Sequence, residues 1–124
     1  TAGDAFGTKF VLTGVPKQGV ISTAVFMDKD GEGITKELVL LDSDFVAQAD
    51  NAPFVLADGE LPLVRGIVEF DTLDFKDYTD NRICIAYPAL YYKAPEGVLY
   101  CQFVTRGADN IAAGSVPQFF LVIS

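Results

Sequence analysis

The chain has 124 residues, half of them hydrophobic, with ten Phe, five Tyr and a formal charge of −8 from 17 acids against nine bases. The absence of His removes Ser-His and Cys-His nucleophile pairs, His-dependent zinc sites and the commonest general base near neutral pH. Nine scattered Lys and Arg form no basic stripe, so neither nucleic acid nor an anionic membrane is expected as a partner, and so apolar a chain is expected to fold.

A chain of this length is expected to form one domain. No apolar run approaches the roughly 20 residues of a membrane span, and residues 1–7 lack the basic and apolar regions of a signal peptide. The start, small residues without Met, fits either initiator removal or cleavage of a leader. Residues 1–7 read as a flexible N-terminal arm and 8–124 as a single β-sandwich domain. Apolar runs rich in Val, Ile, Phe and Tyr, separated by Gly, Pro, Asp and Asn clusters, predict strands near 9–15, 20–27, 34–41, 54–56, 63–70, 82–92, 98–105 and 118–123. Residues 43–50 offer at most one short helix, with Asp42 or Ser43 as its cap. About eight short strands with so little helix predict an all-β fold, an antiparallel two-sheet sandwich with Greek-key or jelly-roll-like connections; an irregular barrel is the alternative. No repeat or linker divides the chain.

Asp28-Lys29-Asp30-Gly31-Glu32-Gly33 begins like a calcium loop, which makes Asp28, Asp30 and Glu32 metal candidates. The twelfth position is Val39 instead of Glu, and the flanks read as strands, so a hairpin with Gly31 and Gly33 at positive φ is expected instead, without metal or cofactor. Asp71, Asp74, Asp77 and Asp80 recur every third residue. That spacing suits a hard cation or paired acid/base carboxylates, but turns between strands need Asp to satisfy backbone N–H groups, and the turn function is the expectation. No catalytic residue is assigned, and an enzyme is not expected.

Cys84 and Cys101 lie in the two longest β runs, on either side of Ala94-Pro95-Glu96-Gly97. If Lys93 and Val98 close a hairpin, Tyr91 stands opposite Tyr100, Leu90 opposite Cys101, and Cys84 near Gly107. The sulfurs are then roughly 20 Å apart, whereas a disulfide needs Cα atoms within about 7 Å. Both thiols are predicted free and mostly buried, which agrees with synthesis in a reducing compartment. The same register puts Cys84, Ala86, Leu90, Leu99, Cys101 and Phe103 on a core face. Tyr87, Tyr91, Tyr100, Gln102 and Arg106 fall on the other, among Ile83, Ile85, Val98 and Val104. That face reads equally as a contact surface or as the second buried face of a central strand pair, with Pro88 marking a bulge that shifts the phase by one.

The final run, residues 116–124, holds five consecutive apolar residues and must be buried, as a central strand of its own sheet or as a strand added to a neighbour's edge; the first is favoured. These features together predict a non-enzymatic structural or assembly subunit that binds copies of itself or decorates a larger protein shell. A virion decoration or minor coat protein comes first, a cell-surface lattice second, with the virion or cell exterior as the location. The alternative is a carbohydrate- or small-ligand-binding module in which Tyr87, Tyr91 and Tyr100 stack on sugar rings while Gln102 and Arg106 bond hydroxyls. A glycan partner is disfavoured by the lack of Trp.

Overall fold

The structure, a computed structural model, describes residues 3–29, 33–49, 52–79, 81–107 and 118–124. Runs of β-branched and aromatic residues form strands here because such side chains fit a pleated surface that is covered on at least one face. Four of them, β1 (Ala5–Thr13), β8 (Val98–Thr105), β3 (Lys36–Leu41) and β4 (Val64–Phe70), lie side by side in that order as sheet one. Sheet two is organised around β2 (Gln18–Asp28), whose partners are β6 (Arg82–Ala86), β7 (Leu90–Lys93) and β9 (Gln118–Ile123), with β5 (Phe75–Asp77) outside β6. Because β9 spans the positions on β2 that both β6 and β7 use, those two must share the opposite edge of β2. Every pairing between the strands is antiparallel, and the chain is an all-β sandwich.

The inward faces meet in one apolar core with Phe103 near its centre. Its ring lies 5.0 Å from Phe119, 5.3 Å from Phe26, 5.9 Å from Phe10 and 6.3 Å from Phe70, centroid to centroid, so rings from four other strands converge on it. On one side the sheets come close enough for Leu90 of β7 to lie over Gly66 of β4. A Cβ at Gly66 would stand 2.3 Å from the Leu90 Cδ2 atom, so any larger residue there would force the Leu90 side chain to move.

Several expectations are corrected. Ala5, Phe6 and Gly7 are buried in β1 and are no arm. The expected strand over 54–56 is irregular, with only Pro53 making an isolated bridge to Asp4. No helix forms over the described part of 43–50; single 3-10 turns occur instead at Leu61–Leu63 and Thr72–Asp74. Helix is lost there because the backbone donors go elsewhere: Phe45 N–H to the Asp44 carboxylate, Val46 N–H to Glu60 and Gln48 N–H to Gln102. The segment after Asp28 is no hairpin, since β2 and β3 belong to different sheets; Gly33 has the expected positive φ of 64°, and Gly31 lies outside the described residues. The turn 94–97 likewise crosses between sheets. Tyr91 therefore pairs with Val20, and Tyr100 with Val11 and Leu41. The last run enters sheet two as its edge strand among the described residues, not as a central one.

Truncating Phe103 to Ala removes the ring that all these neighbours share. It is expected to cost about 3–5 kcal/mol of unfolding free energy, read from urea titration followed by far-UV circular dichroism.

Candidate functional site

The two sheets differ on their outer faces. In sheet one, β3 and β8 are apolar on both sides, so Val39, Leu41 and Val104 need cover opposite the core. Residues 42–63 supply it: Phe45 is buried on those three side chains, with Phe54, Leu56 and Leu63 packed around it. Gln102, fully buried, fastens this cover from below. Its amide donates to the carbonyls of Gly7 (3.1 Å) and Gln48 (2.8 Å), and its oxygen accepts from Gln48 N–H (3.3 Å). Glu60 clasps the same segment by accepting from Ala57 N–H (2.9 Å) and Val46 N–H (2.8 Å), and those bonds hold its carboxyl below the usual carboxylate range. Arg65 ties Asp42 to β4 at 2.7 Å, and Lys9 pairs with Asp44 while lying over the Phe45 ring.

Sheet two has no such cover among the described residues. Phe120, Val25 and Ile85 lie in one cross-strand row, Val122 stands opposite Thr23, and Tyr91 opposite Val20. Ile85 is 44% exposed, Val122 45%, Phe120 52% and Tyr91 54%. Tyr87, 75% exposed, sits where β6 gives way to β7. Three residues, Tyr87-Pro88-Ala89, face two on β2 between the pairs Ala24↔Ala86 and Ile21↔Leu90, so the interruption is a bulge at Pro88, with Ala89 at φ 47°. A groove of about 550 Å³ opens beside it, lined by Ile67, Glu69, Asp74, Ile85, Tyr87 and Pro88. A second, of about 290 Å³, lies at the far end of the sheet by Met27, Tyr78, Arg82 and Ile83.

The five predicted contact residues therefore do not converge. Tyr87 and Tyr91 point out from sheet two. Tyr100 and Gln102 lie against the cover of sheet one, and Gln102 is a buried fastener instead of a ligand group. Arg106 leaves the end of β8 and is held by Glu37, with two nitrogens each 2.8 Å from one carboxylate oxygen. Sequence reasoning put Ile85 on the candidate contact face, where it is exposed, but missed Phe120 and Val122 as surface groups. The signal for the last two was present, an apolar run with alternate members facing out, but it was assigned to a central strand.

Of the metal candidates, Asp28 is buried and accepts from Gly33 N–H at 2.8 Å, while Asp30 and Glu32 lie outside the described residues. Among the described residues no three or more His, Cys, Asp or Glu gather to hold a metal. In the every-third-residue series Asp71 accepts from Leu73 N–H (3.0 Å) and Asp77 from Thr79 N–H (2.9 Å), which is turn chemistry; Asp80 lies outside the described residues.

Cys84 and Cys101 are free, on facing sheets within the shared core, so the expected position of Cys84 near Gly107 is corrected: it pairs with Phe26 and Phe75. Burial pushes the Cys101 thiol up to about 12 and Cys84 up to about 11, with Asp74 and Asp71 adding to the latter.

Two predictions follow from these contacts. Gln102→Ala leaves the Gln48 amide and the Gly7 carbonyl without their buried partner; it is expected to cost about 1–3 kcal/mol and to speed amide exchange over 44–49 more than in the core strands. Both thiols are expected to resist iodoacetamide at pH 8 in the native protein, and both to react once it is denatured without reductant, as mass spectrometry would show. No protein family, curated protein or solved structure was found to match this chain.

Proposed function

We propose that the protein is a non-enzymatic structural subunit that assembles with copies of itself or on a larger protein shell. A virion decoration or minor coat protein is the first form of this proposal and a cell-surface lattice the second. The observation that carries it is the inequality of the two outer faces. The chain spends its longest connection covering sheet one, while sheet two presents Ile85, Tyr91, Phe120 and Val122 with no cover among the described residues.

Strands about 4.8 Å apart and residues rising about 3.3 Å make this face on the order of 500 Å². That matches the largest apolar patches of monomers, which are often functional, and falls short of the roughly 800 Å² per partner in a standard interface. Such a contact is weak singly and effective when repeated across many copies, as in a shell or lattice. The depletion of catalytic residue types supports the same proposal.

The groove beside Tyr87 favours a second function, carbohydrate binding, in which the exposed ring stacks on a sugar and the Glu69 and Asp74 carboxylates accept from its hydroxyls. Light scattering during size exclusion separates the two. A mass above that of one 13.4 kDa chain, rising with loading concentration, is expected, and Ile85→Lys should return the protein to a folded monomer. A strict monomer at about 100 μM that binds a glycan array and loses the signal in Tyr87→Ala would overturn assembly in favour of sugar binding.

A further inference from the structure

An exposed sheet edge is a row of unpaired backbone donors and acceptors, and folded proteins usually guard such edges with charges, bulges or very short strands. Most edges in this sandwich are guarded. β1 carries Lys9 and a register shift between Phe6 and Phe10. β4 carries Arg65 and Glu69, with a shift opposite Leu40 and Leu41. β5 has three residues, two of them Lys76 and Asp77, and β7 has four and ends on Lys93.

The edge at β9 differs. Gln118-Phe119-Phe120-Leu121-Val122-Ile123 contains no charge, no Pro and no Gly, and its side chains alternate regularly between half-buried and exposed. Ser124 and Val20 exchange two backbone hydrogen bonds, at 3.1 and 2.9 Å, so the backbone groups of Ser124 face β2. Successive residues of a strand turn these groups to opposite sides, so those of Leu121 and Ile123 face away from β2. No strand among the described residues pairs with that side.

We propose that β9 pairs antiparallel with β9 of a second copy, joining two five-stranded sheets edge to edge. Charge selects this occupant. Two chains of net −8 repel, and they approach best where neither presents an ionised side chain, which holds along the whole of β9. The segment is also its own complement. In antiparallel pairing Phe120 and Val122 of the two copies meet across the seam on one face, and the two exposed outer faces become continuous. The pairing presupposes the assembly proposed above and specifies how it occurs.

Residue-resolved amide exchange by NMR on the intact chain, at about 20 μM and about 1 mM with the mass followed by light scattering, tests it. Self-association is expected, with Leu121 and Ile123 amides exchanging at least tenfold more slowly in the assembled sample. Self-association with both amides still exchanging fast would overturn edge pairing while leaving assembly through the sheet face intact. A monomer at both concentrations would overturn edge pairing and self-assembly together, and would leave attachment to a larger protein shell as the remaining form of the assembly proposal.

Discussion

Burial of β3 and β8 on both faces is the constraint from which much of the remaining structure follows. Leu38, Leu40, Leu99, Cys101 and Phe103 point into the sandwich, and Val39, Leu41 and Val104 point the other way, so sheet one must be covered twice. Sheet two provides one cover and residues 42–63 the other. An amide side chain in the middle of β8 is tolerated only because that second cover brings carbonyls and an N–H within its reach; without them a buried Gln102 would be costly. With its longest connection between described strands used on sheet one, no comparable segment among the described residues covers the outside of sheet two.

The strands themselves were legible in the sequence because alternation is local. Seven of the predicted runs hold strands of the sandwich, and Cys84, Ala86, Leu90, Leu99, Cys101 and Phe103 do face the core. Partner choice was not legible, because it is decided far along the chain. Ala94-Pro95-Glu96-Gly97 has the composition of a hairpin turn, yet Ala94 N–H bonds the Lys17 carbonyl and Val15 N–H the Gly97 carbonyl. Two arches, one after β1 and one after β7, thus brace each other where the chain crosses between sheets. Tyr92 adds its hydroxyl to the Pro16 carbonyl at 2.9 Å, and burial of that phenol raises its pKa. A turn that finds its partner in another turn resembles a hairpin in every local respect.

The candidate contact face was half visible for the same reason. Tyr87 and Tyr91 stood out by residue type, and Pro88 marked the bulge between them. Ile85, Phe120 and Val122 are ordinary strand residues, and only the pairing of β6 and β9 on either side of β2 gathers them on one surface. The acids show the complementary pattern. Asp42, Asp44, Glu60 and Asp71 in loops, and Asp77 at the end of β5, bind backbone or bases, while the centre of the outer face of sheet two, around Val25, is free of charge. Net acidity thus keeps most of the surface hydrated and leaves one part neutral.

The pairing order also governs how the molecule comes into being. β1 finds its partner only in β8, with Ala5 opposite Val104, and β2 finds β9, with Ile21 opposite Ile123. Neither sheet can close on a ribosome until nearly all of these strands have emerged, and the β8 strand that fills the middle of sheet one is among the last. Contacts so distant in sequence put folding on the slow side of the two-state range, on the order of milliseconds to seconds. Through that interval β1, β2 and β3 wait with their apolar faces open, and the cell must keep them from meeting other chains before their own partners arrive.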